Sequence, residues 1–450
     1  MLVFLSDLHF SDGTTSANTA PEVFSNLLFN EIRSRASSKS KNVEEVHFVL
    51  AGDIIDIVRT DKWLMIDEAK RPWNGNLDPD YAVNTDPDVE IEYNKILDDI
   101  IAQLVCQTFI SEINKLAAEF NNIPVKITYI IGNHDRAINY YDSLKQKIKD
   151  LFPSINVDIV NYLHSPEYSL LCRHGNEWDS ACFGYEFAKR VLHKNYEDKF
   201  HPEYYKVQNI SEVVTTEIMS GIVFRLNYDY HWKGIHDDLI EYIKDLNNVR
   251  PALSAIDWLA WSTASEFKSH LKTDISRAIY YSLEAFLDTK LAIMWDNVYP
   301  DIIVKGDFID RIQLLKKFLN KNSFGNLHKA MGYLKVFNKF AKSKIEYCMN
   351  GAIEDFKNHP DVQFVVYGHT HYAKEVVINA EAENCIKTYI NTGTYLPLIQ
   401  EARINGYGRA KRMTLTFIYN KNEDRGSIIN KKDNSISMEF WNGLKQKEYI

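Results

Sequence analysis

The chain has 450 residues, 45% of them hydrophobic and 25% charged, and carries a formal net charge of −9. That composition excludes a disordered or collagen-like chain, and the acidic balance argues against a molecule that grips nucleic acid over its whole surface. The length exceeds the usual size of a single core, so two domains, or one domain with a large insertion, are expected.

Five cysteines, odd in number and without a CxxC pair, predict reduced thiols in a cytoplasmic protein rather than a disulfide framework. The opening residues MLVFLSDLHF contain no basic segment and no small-residue cleavage site, so no signal peptide is expected. No stretch has the apolar length of a membrane span.

In chain order, short apolar β-branched runs alternate with helical patterns. Strands are predicted over 2–5, 46–50, 125–131, 155–160, 169–172, 363–367 and 387–390, and helices over 21–36 and 93–120. Such alternation means an α/β layered core. The segment 71–87, rich in Pro, Asn, Asp and Gly, reads as a long loop. From about 181 to 357 strand signals thin out, and helices are predicted over 211–226, 252–270, 275–295, 308–319 and 329–356. The expected organisation is a core over 1–180, a helical insertion or cap over 181–357, and the rest of the core with C-terminal strands over 358–450. Runs at 413–419 and 435–441 complete a second sheet in this reading.

Five polar clusters each begin where an apolar run stops: Asp7-Leu8-His9, Gly52-Asp53-Ile54-Ile55-Asp56, Gly132-Asn133-His134-Asp135, His174-Gly175-Asn176 and Gly368-His369-Thr370-His371. In α/β sheets ligands bind beyond the carboxyl ends of strands, so all five can share one rim. Asp7 and His9 are one residue apart, and on an extended strand end such neighbours point the same way. His369 and His371 repeat the spacing. Asp53 has two carboxylate oxygens and can bridge two cations. An allocation using every donor puts Asp7, His9, Asp53 and His371 on one divalent metal and Asp53, Asn133, His174 and His369 on the other. Manganese is the leading expectation, with Fe, Zn, Co and Ni open, because a mixed oxygen and imidazole set does not select among them. His134 is left over, suited to protonate a leaving group or to donate to a charged transition state, with Asp56 placed to hold its imidazole. Arg136 follows the third cluster and is a candidate phosphate contact.

The order DxH, GDxxD, GNHD, H, GHTH resembles the calcineurin-like metallophosphoesterase superfamily and covers its five signature blocks. The resemblance implies a β-sandwich flanked by helices, a dinuclear metal centre and hydrolysis of phosphomonoesters or phosphodiesters. It also implies the ligand allocation above and a His134–Asp56 pair, and Asn391-Thr392-Gly393-Thr394 looks like the family's strand-and-turn. The resemblance spans roughly the first 180 residues and a stretch after Val362; the helical region between is not explained by it. Departures narrow the branch. Protein phosphatases resemble GDxxDRG and GNHE, whereas Ile57-Val58 follows Asp56 here and the third block ends in Asp135. The lipid A pathway pyrophosphohydrolases carry Arg where His134 stands, and purple acid phosphatases place Tyr where Asp56 stands. GNHD with GHTH is closer to phosphodiesterases and to the repair-nuclease branch.

A phosphodiester is therefore the favoured substrate, with a phosphomonoesterase as the alternative and a nucleic-acid-binding or scaffold subunit as a third reading. The stretch from Arg311 to Lys344 bears on the third, since it holds nine Lys and Arg, no Asp or Glu after Arg311 until its end, and interleaved aromatics. It could bind a nucleic-acid backbone or dock on an anionic membrane surface, although an amphipathic helix pair with solvated lysines is the plainer expectation.

Overall fold

The computed structural model describes residues 1–120, 122–251, 254–266, 269–298, 308–319, 344–379, 386–402, 406–424 and 436–449. Thirteen strands among them form two sheets: β1 (Leu2–Leu5), β2 (Val46–Ala51), β3 (Val125–Ile130), β4 (Asn156–Val160), β5 (Tyr162–Ser165), β6 (Leu170–Arg173), β7 (Val249–Arg250), β8 (Phe364–Tyr367), β9 (Lys374–Asn379), β10 (Lys387–Asn391), β11 (Pro397–Glu401), β12 (Tyr407–Tyr419) and β13 (Ser437–Tyr449). The larger sheet runs β4-β3-β2-β1-β12-β11-β7, with β13 beside β12, and the smaller runs β5-β6-β8-β10-β9. The chain is thus mixed α/β. Strands β1 to β4 are mutually parallel, as are β6, β8 and β10, so their carboxyl ends lie along common edges.

Alternation along each strand sorts the side chains between two cores. Leu2, Phe4, Val49, Ala51 and Ile130 meet Leu170, Cys172, Phe364, Val366 and Ile390 of the smaller sheet, so the sheets pack face to face. Val3, Leu5, Phe48, Leu50, Ile127 and Tyr129 point the other way, into helices. Strands buried on both faces read as continuous apolar runs, which is why they are legible without a period-2 pattern. On the outer face of the smaller sheet, Leu171, Val365 and Tyr389 pack against Cys348, Ala352 and Phe356 of the helix Lys344–Asn358.

The helix Pro87–Ile101 starts where its sequence says it should: Asp86 accepts from Asp88 N at 2.9 Å and Pro87 occupies the first turn. The helix expected over 93–120 is two, because Gln103 leaves helical geometry at ψ 135° before Leu104–Glu119 resumes. The helical pattern from 211 is realised as a run from Ile210 to Tyr228 with a π-helical middle.

Described residues of the region 181–357 pack into the main core. Ile222, Leu226, Leu259, Ile279 and Leu283 belong to the same core as Phe29, Ile96 and Phe109 of the N-terminal helices. Its strand β7 pairs in parallel with β11 at the edge of the larger sheet. The segment 71–87 is likewise packed down: Arg71 Nη1 donates to both carboxylate oxygens of buried Glu217 at 2.9 and 3.0 Å, and Trp73 Nε1 donates to the same group at 2.7 Å. Of the basic stretch from Arg311 to Lys344, residues 320–343 lie outside the described residues; Lys316, which is described, pairs with Glu284 at 2.8 Å. No described helix is long and apolar enough to cross a membrane.

Candidate metal centre

Each cluster occupies the loop that leaves a strand, and backbone hydrogen bonds continue the sheet pairing beyond the strand ends. Asp7 N donates to Gly52 O (3.0 Å), His9 N to Asp53 O (2.9 Å) and Phe10 N to Ile54 O (2.9 Å), so the first loop runs beside the second. In the smaller sheet Gly368 N donates to His174 O at 2.9 Å. The 391–394 turn ties the rows together, with Asn391 Nδ2 donating to Gly368 O (2.6 Å) and Thr394 Oγ1 to Asp7 O (2.7 Å).

The side chains do not converge by an extended pleat, which corrects the expectation for Asp7 and His9. Asp7 (φ 49°), His9 (47°), Asp53 (52°), His369 (65°) and His371 (64°) all adopt the left-handed conformation. For residues with a Cβ this costs about 1–3 kcal/mol each and persists only where surrounding contacts over-determine it. Close approach adds a second constraint: a Cβ at Gly52, itself at φ 88°, would overlap the imidazole of His174, and one at Gly132 would overlap the carboxylate of Asp53.

Two donor groups result. Ligand atoms of Asp7, His9 and His371 lie within 4.8 Å of one another, as do those of Asp53, His174 and His369. In the first, His9 Nε2 and His371 Nε2 are 3.0 Å apart, and Asp7 Oδ1 is 3.4 Å from His371 Nε2. Donors sharing one small divalent ion at about 2.1 Å sit at about such separations. In the second, Ala51 O lies 2.9 Å from His174 Nδ1 and fixes the proton there, so the Nε2 lone pair faces Asp53 Oδ2 at 3.1 Å. Two acceptors in that position require a proton or a cation between them. Without a metal the proton takes the place: although burial opposes the charged imidazole, the Asp53 carboxylate pushes the His174 pKa up to about 10. Asn133 Oδ1 is buried with no hydrogen-bond partner. An orphaned carbonyl oxygen beside facing lone pairs fits a divalent metal, and these residues could hold two.

His134 lines the cavity above this rim, and its backbone N donates to Asp53 Oδ1 at 2.8 Å. Asp56 Oδ2 serves three cationic or cation-forming groups: His9 Nδ1 at 2.7 Å, His134 Nδ1 at 3.0 Å and Arg59 Nε at 3.0 Å. Asp56 therefore sets the orientation of His9 as well as that of His134, which the sequence reading did not foresee. Its burial would raise its pKa, but His134 and Arg59 hold it well below the usual carboxylate range. For His134 burial lowers the pKa, and Asp56 and Asp53 work against that.

Arg136 is not beside the rim. Its guanidinium is buried against Glu212, with Nη1 on Lys206 O (2.8 Å) and Nη2 on Gln208 Oε1 (3.1 Å), so it fastens the third loop to the helical region instead of meeting phosphate. Asp135, given no role from sequence, accepts from Gly132 N (2.5 Å), Tyr129 OH (2.7 Å) and Ile54 N (3.2 Å), binding the third loop to the second. Burial and the charge of Asp53 push its pKa up to about 7. Asp179, whose carboxylate is 3.4 Å from His369 Nε2, and the neighbouring Cys182 also approach the second donor group. Arg59 and Arg250 line the same cavity. No motif marks these four, because each reaches the site through tertiary packing from a loop or strand of unremarkable sequence.

No protein-family model matches the chain, and no curated protein matches it.

Proposed function

We propose that the chain is a metal-dependent phosphoesterase of the calcineurin-like metallophosphoesterase superfamily, with a phosphodiester as the favoured substrate. The observation that carries this reading is the meeting of seven oxygen and imidazole donors from two sheets on one rim, with Asn133 Oδ1 left unpartnered and His174 Nε2 facing the Asp53 carboxylate. Asp7, His9, Asp53 and His371 would hold one divalent ion and Asp53, Asn133, His174 and His369 the other. Two such ions supply an activated water and positive charge for the phosphoryl oxygens.

The chain's own residues do the rest. With Nδ1 turned to Asp56, His134 has its other ring nitrogen for the cavity, where the protonated imidazole gives its proton to the departing ester oxygen. Asp56 stabilises that imidazolium before transfer. The cavity, about 270 Å³, has room for a small-molecule substituent. The test is hydrolysis of a chromogenic phosphodiester and the matching monoester after chelator treatment and manganese reloading. Diester turnover lost with the metal is the expected result; turnover of neither ester, with or without metal, refutes the reading.

A further inference from the structure

The cavity over the rim has a second, chemically different wall. Ile210, Val214, Met219, Leu246, Val249 and Pro251, all from the region between the fourth and fifth clusters, face the metal-ligand side chains across it, interrupted by the hydroxyls of Ser211 and Thr215. Two guanidiniums line the same space. Arg59 is 2% exposed; its Nε lies 3.0 Å from Asp56 Oδ2 without hydrogen-bond alignment, and its Nη1 has no partner at all. A buried guanidinium nitrogen in that condition is costly unless an anion completes it. Arg250 Nη1 is committed to Asn247 O (2.8 Å) and Val249 O (3.0 Å). Its Nη2 lies 3.0 and 3.2 Å from the two ring nitrogens of His371. Beyond the Asp56 contact, Arg59 keeps an unpartnered Nη1, and Arg250, fixed in place by backbone carbonyls, brings a second guanidinium to the same cavity.

We propose that Arg59 and Arg250 are the anion-binding arms of the substrate site and that the facing wall takes a compact apolar ester group. The substrate class is then a phosphate ester with an aryl or short alkyl substituent, in preference to a nucleotide or sugar phosphate. This deepens the phosphoesterase reading and rests on it. The arms are Arg59, on the loop after the second cluster, and Arg250, on β7 at the sheet edge. The region 181–357 thereby contributes both the substituent pocket and one of the two charges.

Phenylphosphonate and methylphosphonate, whose C–P bonds resist hydrolysis, separate the two parts by calorimetric titration of the manganese-loaded full chain. The wild type is expected to bind the phenyl compound at least tenfold more tightly. Arg59→Gln and Arg250→Gln should each weaken both compounds by roughly ten- to hundredfold, with Arg59→Lys and Arg250→Lys recovering part of the loss. Val214→Ser and Met219→Ser should shrink the phenyl-to-methyl ratio and leave methylphosphonate binding in place. Thermal unfolding of each variant identifies any that fails to fold, for which the lysine variants stand in. Phosphonates that bind wild type and arginine variants equally, or a ratio untouched in both serine variants, overturn this inference while leaving ester hydrolysis standing. A wild type that binds neither phosphonate and hydrolyses neither chromogenic ester brings down both readings together.

Discussion

Replacing Asp56 by Asn is nearly isosteric, yet it divides the two jobs of that side chain. Oδ1 accepts from Val58 N (3.3 Å) and Arg59 N (3.0 Å), and the amide oxygen of Asn can keep both bonds, so the turn survives. Oδ2 receives His9 Nδ1 at 2.7 Å, and here Asn presents an NH2 group to an N–H. The clash is relieved if His9 moves its proton to Nε2, the nitrogen that faces His371 Nε2 and Asp7, where it blocks metal ligation. Groups that fix the tautomer of a ligating histidine are worth about 10–100-fold in metal affinity, or roughly 1.4–2.7 kcal/mol. Arg59 also loses its buried carboxylate, and breaking such a pair costs about 3–5 kcal/mol of stability. Asp56→Asn should therefore fold, unfold at lower denaturant, and bind manganese at least tenfold more weakly in a calorimetric titration of chelator-stripped protein. Manganese affinity within threefold of wild type, in a variant with native circular dichroism, would refute the claim that Asp56 sets the His9 tautomer.

Gly52→Ala combines a left-handed φ with overlap of His174, so it should lower the unfolding midpoint and reduce bound metal as measured by elemental analysis. Glu217→Ala should destabilise by about 3–5 kcal/mol in chemical denaturation, because buried Arg71 keeps only the distant, exposed Glu68 carboxylate, while the Arg71→Met/Glu217→Leu double variant recovers much of the loss. His47, hydrogen-bonded to Thr128 Oγ1 at 2.8 Å, has its pKa lowered to about 4, by burial first and then by Lys126. The unfolded chain takes up that proton near pH 6.5 and the folded one only near 4, so stability is full above 6.5 and falls by up to about 3 kcal/mol as pH drops between them. His47→Gln should flatten the denaturation midpoint in that window, and an unchanged slope would show that another group controls it.

The strands that carry the clusters were legible because burial on both faces makes them continuous apolar runs that stop where a cluster begins, as after Leu5 and Tyr367. Their convergence followed from the parallel order of β1 to β3 and of β6 with β8. The backbone inside the clusters was not legible: nothing in Asp-Leu-His announces two left-handed residues, since that conformation is imposed by pairing with the next loop. Propensity also missed β7, two residues long and defined by its partner β11, and the break at Gln103, where no Gly or Pro stands. Arg136 misled because a basic residue after a motif looks like a phosphate contact until its acidic partner, Glu212, is brought in from 76 residues away. Arg59 and Arg250 were invisible for the converse reason, since only packing places them over the rim.

The donors divide by layer: Asp7, His9, Asp53 and Asn133 stand on loops of the larger sheet, His174, His369 and His371 on loops of the smaller. An ion held by both rows would therefore tie the two sheets together at the rim, where His174 faces Asp53 and His9 faces His371. At a hundredfold excess over its dissociation constant, a ligand specific to the folded state adds about 2.7 kcal/mol. Heat resistance in this protein should consequently track the supply of metal, making its melting curve a gauge of occupancy that needs no substrate.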